Sequence, residues 1–218
     1  MSESDFILAL KIRTQTADLR AAPQHIRGQA DLSCSLCGRD RETLRHVLGH
    51  CSELQEMRIR NHNRICRWLG TLAAVRGWTA HYEPLFRTSD GARIPDLILI
   101  KGPRAIVVDV TVRFETEGHS GQDTLTEARA EKASKYSNLV PYIREWDQTI
   151  KEVLVQGFPV GARGKWPKEN NKLLSLLGMP PVKIQQVAET LSRKTLINSV
   201  YLLKTFHHRT RGGRPQPS

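Results

Sequence analysis

The sequence predicts a mixed α/β fold with a small metal-held module in front of it. Two observations carry that expectation. Three of the four cysteines fall between Cys34 and Cys51 together with His46 and His50, a crowding that suits a metal and not a disulfide framework. Beyond them the hydrophobic pattern runs from a helical period to strand blocks and back to helix, the order expected of an α/β core.

The chain has 218 residues, 39% hydrophobic and 25% charged, enough for one ordinary domain plus a small module and too apolar for global disorder. No apolar run approaches the ~20 residues of a bilayer span. The first residues carry Asp5 and no basic run, so they do not read as a secretory signal. The cysteine layout places the chain in a reducing compartment.

Phe6 to Leu19 reads as a short helix, and Ala21 to Leu32 as a linker around Pro23 and Gly28. Leu54, Met57, Ile65, Leu69, Leu72 and Val75 recur at helical spacing within a long helix over Glu53 to Gly77. Thr79 to Phe86 and Pro95 to Ile100 read as strands flanking a Ser89-Asp90-Gly91 turn. Ala105 to Phe114 is a third strand, whose run Ala105-Ile106-Val107-Val108 predicts burial on both faces. A polar loop follows over His119 to Gln122, then a helix over Thr124 to Val140 and a strand over Glu152 to Phe158. Asn170 to Leu177 is helical, and two more helices are expected between Val182 and Phe206. The expected organisation is helix and linker over 1–32, metal module over 33–53, α/β core with C-terminal helices over 54–206, and a basic tail without regular structure over 207–218.

The metal module reads Cys34-x2-Cys37-x8-His46-x4-Cys51. Two close cysteines form a turn that aims both sulfurs inward, and a distant His/Cys pair closes the tetrahedron that Zn2+ prefers. Gly38 follows the second cysteine, where such turns need a permissive backbone. The x4 spacing favours His46 as the third ligand, with His50 as the alternative. Cys66 lies outside the pattern and reads as a small core residue.

A second constellation lies on the strands. Asp96 and Asp109 sit thirteen positions apart, on two apolar strands joined by a short turn, so their carboxylates can lie side by side. Burying acids among Val and Ile is costly unless a cation or hydrogen bonds compensate. A hard ion such as Mg2+ suits oxygen ligands and can activate water there. The bland alternative is Asp96 as a turn cap and Asp109 facing solvent at a sheet edge. On the next helix Ala128, Lys132, Lys135 and Tyr136 share one side, so the two lysines can face the acids and hold a phosphate. Glu83, in the preceding strand, is a further candidate for the metal shell. Glu115 lies ~20 Å along the strand from Asp109 and is too far.

Charge points the same way. The formal net charge is +11, and Val160 to Ser218 holds eleven basic residues against two acidic ones. A one-sided basic segment is the footprint of a polyanionic partner.

Cys34, Cys37, His46 and Cys51, then Pro95-Asp96, Asp109 and Lys132-x2-Lys135-Tyr136, together resemble the C-terminal region of site-specific non-LTR retrotransposon proteins, the type that inserts in ribosomal DNA. The resemblance runs from about Phe6 to Phe206. It implies a restriction-endonuclease-like PD-(D/E)XK core behind a Cys-Cys-His-Cys zinc knuckle. It further implies an endonuclease that nicks target double-stranded DNA, leaving a 3′-hydroxyl to prime reverse transcription of the element RNA. Asp96 and Asp109 would bind catalytic Mg2+ or Mn2+, and Lys132 and Lys135 would be displaced catalytic lysines. Thr111 stands where the restriction-enzyme pattern has its lysine, and Ile94 separates Arg93 from Pro95. No Tyr-x-Asp-Asp motif is present, so the resemblance implies a fragment of a longer nuclear polyprotein that includes a reverse transcriptase. The competing readings are a nucleic-acid-binding module that cuts little in isolation, and a zinc-organised protein-interaction domain.

Overall fold

The structure, a computed structural model, describes residues 2–22, 31–116 and 123–211. Most of the expected linker, the polar loop around His119 to Gln122 and the last seven residues of the expected tail lie outside the described residues.

The chain opens with α1 (Glu3–Thr14), started by the Ser2 hydroxyl accepting from the Asp5 amide. It is shorter than its apolar spacing suggested, because Gln15 takes the left-handed conformation at φ 59°. A short helix, α2 (Leu44–Gly49), belongs to the cysteine module, and α3 (Gln55–Ala74) follows it. The buried residues of α3 are Ile65, Cys66, Leu69, Gly70 and Ala73, a stripe at helical period. Tyr82 lies over Gly70, where a Cβ would collide with its phenol, so helix and first strand approach closely.

The strands are β1 (Thr79–Tyr82), β2 (Phe86–Thr88), β3 (Gly91–Arg93), β4 (Leu97–Lys101), β5 (Arg104–Arg113) and β6 (Glu152–Gly161). The strand expected over Thr79 to Phe86 is two strands. Glu83 adopts φ 48° just before Pro84, which cannot donate to a ladder, and the chain turns away there. β2 and β3 form a separate hairpin about Ser89-Asp90, with Gly91 at φ 101°. The main sheet has order β1-β4-β5-β6, antiparallel except for the parallel pair β5 and β6.

A parallel pair requires a crossover. It is made by α4 (Thr124–Tyr136) and α5 (Val140–Trp146), which cover one face with Tyr136, Leu139 and Ile143 against Ile98, Ala105 and Val107. The helix expected over Thr124 to Val140 therefore breaks at a 3-10 turn after Tyr136, and Pro141 begins the next helix instead of following the last. The other face carries Leu97, Leu99, Ile106, Val108 and Val110 against α3, α6 (Asn170–Leu176) and α7 (Pro181–Arg211). β5 is buried on both faces, as its unbroken apolar run predicted. At roughly 1.5–3 kcal/mol per buried aliphatic side chain, this strand can carry one desolvated acid, Asp109, into the interior.

The two helices expected from Val182 onwards are one. Between Val182 and Arg211 there is no glycine or proline to interrupt it. It continues through His207 to Arg211, where a tail without regular structure had been expected. Its first half packs on the sheet through Ile184, Val187 and Leu191. Its second half packs on the cysteine module and α1 through Val200, Leu203 and Phe206. Among the described residues, no helix is long and apolar enough to cross a membrane.

Candidate metal centre and acidic site

In the cysteine module, Cys34 and Cys37 lie on a turn closed by Gly38 N–H donating to Cys34 O at 2.8 Å, with Gly38 at φ 67°. The bridge between Ser33 and Arg41 holds the turn as a miniature hairpin. His46 sits in the first turn of α2, capped by Thr43, whose Oγ1 accepts from His46 N. Cys51 follows the helix and donates its N–H to His46 O. The donor atoms of Cys34, Cys37, His46 and Cys51 lie within 4.8 Å of one another, with Cys37 Sγ to His46 Nε2 at 3.3 Å and Cys34 Sγ to Cys51 Sγ at 4.0 Å. This donor set can bind zinc. His50 is exposed and stays outside the group, which resolves the choice of histidine for His46.

Two features support the fit. Asp40 Oδ2 stands 3.3 Å from His46 Nδ1, an ion-pair approach outside hydrogen-bond alignment, on the side of the ring away from the sulfurs. A carboxylate behind a ligating imidazole orients it and raises its basicity. Burial pushes the Cys51 thiol up to about 12 and the Cys34 thiol upward, and a bound cation would oppose this by favouring their thiolate forms. Glu42, also buried, accepts from Ser35 N and Arg20 N and ties the turn to the preceding segment.

The acidic site is assembled from the sheet and the crossover. In the antiparallel register Leu97 faces Val108, so Asp96 and Asp109 are the next opposed positions. Asp96 precedes β4 and turns its Oδ2 to accept from Val110 N at 2.6 Å. Asp109 lies within β5 and is 4% exposed. Lys132 Nζ is 2.8 Å from Asp109 Oδ1, an ion pair without hydrogen-bond alignment. What brings α4 this close is Gly157. It pairs with Asp109 across β5 and β6, and a Cβ on it would lie 2.5 Å from Arg129 O. Arg129 sits one turn before Lys132, and its guanidinium donates to Gly157 O and Asn170 Oδ1.

The other expected residues fare differently. Tyr136 donates its hydroxyl to Ile94 O, and burial together with nearby Asp109 holds its phenol well above the ordinary range. Lys135 is exposed, and its ammonium rests over the Tyr136 ring at 4.7 Å. Glu83 is exposed and lines the cleft of about 560 Å3 that opens on Asp96, with Asn63, Cys66, Arg67, Thr71 and Tyr82. Its backbone N–H donates to Asp96 O, while its carboxylate joins neither metal-type donor group found among the described residues. Glu115 is buried just past the end of β5, accepting from Arg163 N and Lys165 N.

One residue escaped the sequence reading. His62, on α3, places Nε2 3.1 Å from both Asp96 Oδ2 and Val110 O. The hydrogen bond with Asp96, then that with Cys66, pushes its imidazole up to about 11, so His62 and Asp96 form an ion pair. The readable signal was His62-x3-Cys66, one helical turn on the inward side of α3.

No protein-family model matches the chain. A Retrovirus-related Pol polyprotein from type-1 retrotransposable element R2 of Popillia japonica is 27% identical over 215 residues, which are 98% of this chain and 43% of that protein. A second of the same description from Popillia japonica is 32% identical over 181 residues, 81% of this chain and 24% of its own length. One from Nasonia vitripennis is 25% identical over 178 residues, 78% of this chain and 16% of its length. The chain thus spans less than half the length of these curated relatives. Over most of its length, then, this chain is homologous to the Pol polyproteins of R2 retrotransposable elements, and it carries within that homology a Cys-Cys-His-Cys group whose donors can bind zinc.

Proposed function

We propose that the chain is a metal-dependent DNA endonuclease of the PD-(D/E)XK kind, which nicks target double-stranded DNA during retrotransposition. The observation that supports it best is the pairing of opposed Asp96 and Asp109 with Lys132, whose ammonium stands 2.8 Å from the buried Asp109 carboxylate. The relatives are Pol polyproteins of a retrotransposable element, which supports a role in retrotransposition.

The donors fit a hard divalent ion. Asp109 Oδ1 is a buried carboxylate oxygen whose near partner is the Lys132 ammonium at 2.8 Å, without an aligned hydrogen bond, so a divalent ion would share this oxygen with Lys132. Asp96 and Asp109 would hold Mg2+ or Mn2+, which when bound supplies an activated water and offsets charge on the phosphoryl oxygens. Lys132 keeps a positive charge beside Asp109 and presents it to a phosphate, the part that the pattern residue at Thr111 cannot play. Tyr136 fixes the β3–β4 connection through Ile94 O and so holds Asp96 opposite Asp109. The nick would leave a 3′-hydroxyl as primer for copying the element RNA. The partners are target DNA, the element RNA and the rest of a polyprotein with its reverse transcriptase, and the site of action is the nucleus.

Plasmid nicking with Mg2+ tests this. Asp96→Ala and Asp109→Ala should lose at least about a hundredfold in rate, the scale of removing a group that stabilises transition-state charge. Nicking by both variants at the wild-type rate would overturn the assignment. A specific observation favours a second reading, a nucleic-acid-gripping module with little cleavage. Each acid is already paired inside the chain, Asp96 with His62 and Asp109 with Lys132. Salt-sensitive DNA binding without nicking by the wild type would select that reading.

A further inference from the structure

We infer that His62, Cys66 and Asp96 form a second transition-metal site, separate from the zinc knuckle and suited to Zn2+ or Co2+. The three residues offer one nitrogen, one sulfur and one oxygen donor, all within 4.8 Å of one another. His62 Nε2 and Asp96 Oδ2 are 3.1 Å apart, and Cys66 Sγ is 3.8 Å from that nitrogen. Tetrahedral zinc, with bonds of about 2.0 Å to N and O and 2.3 Å to S, separates its donors by roughly 3.3–3.8 Å. The knuckle in the same molecule has its donors at 3.3 and 4.0 Å, so the two groups are packed alike.

His62 and Cys66 are one turn apart on α3, and the donor atoms of both lie near Asp96, which precedes the first residue of β4. His62 Nδ1 meets Asn63 Oδ1 at 3.1 Å and Cys66 Sγ lies 3.8 Å from each ring nitrogen, so Asn63 is the polar partner of the nitrogen that does not meet Asp96. A bound metal would take the place of the proton that His62 shares with Asp96, and a partner on the other ring nitrogen then fixes the tautomer of the ligating imidazole.

The two sites differ in closure. The knuckle has four protein ligands. Here there are three, and Cys66 and Asp96 line the cleft of about 560 Å3, so the fourth position faces the cleft. Three protein ligands and one open position is the layout of zinc sites that bind a water or substrate oxygen. Imidazole and thiolate together select zinc or cobalt over Mg2+, which takes oxygen donors. The site shares Asp96 with the proposed nuclease centre, but it rests on donor geometry alone.

The test uses the full chain, equilibrated with excess Zn2+, desalted and assayed by elemental analysis. Wild type should hold about two zinc ions per chain, and His62→Ala and Cys66→Ala about one each, the knuckle's own. Co2+ loading should add a thiolate-to-cobalt absorption component that Cys66→Ala lacks. A wild-type count of one overturns the inference whatever the variants do, and so does retention of two ions by both variants. Circular dichroism confirms that each variant is folded, and Cys66→Ala leaves the smallest change in buried volume. Plasmid nicking is scored separately. Two bound ions without nicking sustains this site and overturns the nuclease reading, and Mg2+-dependent nicking at one bound ion does the reverse.

Discussion

The knuckle and the acidic site are both built from side chains that are unstable on their own, and they solve the problem at different ranges. The knuckle gathers its four donors within one short stretch, Cys34 to Cys51, by a tight turn and one turn of helix. The acidic site draws His62 from α3, Asp96 from the approach to β4, Asp109 from β5 and Lys132 from α4, so it exists only when the sheet and its crossover have formed. The first site depends on local spacing, and its donors suit a cation. The second depends on tertiary packing, and its charges are balanced by neighbouring side chains.

This contrast predicts that the largest effect in the molecule comes from zinc removal. The knuckle's Cys34, Leu44, Val47 and Cys51 share one core with Ile12, Leu203 and Phe206. A closed zinc site is worth about 10–16 kcal/mol in small zinc-dependent folds, as much as the whole stability of an ordinary domain. Chelation, or Cys51→Ser, should lower Tm by at least about 10 °C in calorimetry. An unchanged Tm after complete zinc removal would mean that packing holds the module, and the contrast would collapse.

The acidic site breaks in the opposite way. Lys132→Met leaves the Asp109 carboxylate buried without its counter-charge, a change that costs about 3–5 kcal/mol in buried pairs. Added Mg2+ should restore part of that stability in Lys132→Met and add little to wild type, read as a shift in Tm. Pairing Lys132→Met with Asp109→Leu should recover most of the loss, because the orphaned charge is gone. If the double variant is as unstable as the sum of the singles, the two residues do not act as a pair.

Gly157→Ala sharpens the same point from a distance. The new methyl would lie 2.5 Å from Arg129 O and 2.9 Å from Arg129 Cα, backbone atoms that cannot swing aside. Overpacking of this kind costs about 1–3 kcal/mol and should push α4 away from the sheet. The expected result is a Tm a few degrees lower, with nicking reduced well beyond the loss of stability, since Lys132 moves off Asp109. Nicking at the wild-type rate would show that the spacing between α4 and β6 does not position the lysine.

How much was readable from the sequence follows the same division. The knuckle was almost wholly legible, because its ligands are contiguous and their spacing is their geometry. Only the choice of His46 over His50 needed the fold. Asp96 and Asp109 were legible because acids stood out in apolar strands, and Lys132 because it shares a helical side with Ala128 and Tyr136. His62 is legible only as half of the His62-x3-Cys66 pair; its link to Asp96 is not, since it spans thirty-four positions and runs through an α3–sheet contact that periodicity does not reveal. Cys66 was read as core packing, and it is buried there, yet its sulfur also faces His62. The break at Glu83 was missed because a positive φ is a tertiary choice for a non-glycine residue.

The smallest effect should come from Lys135, and it separates the two lysines that the sequence treated alike. Lys132 lies one turn before the buried Tyr136 and meets Asp109, whereas Lys135 is next to Tyr136 in sequence and turns outward on the helix. Lys135 extends into solvent and rests over the Tyr136 ring, a cation–π contact worth about 0.5–1 kcal/mol at an exposed position. Lys135→Ala should therefore shift Tm by no more than a few degrees and, on the proposed nuclease reading, leave the nicking rate within about threefold of wild type at low salt. A hundredfold loss of nicking in Lys135→Ala, with Lys132→Ala nearly silent, would reverse the assignment. In that case Lys132 serves only to neutralise a buried acid, and the lysine that meets the phosphate is the one now resting on the tyrosine.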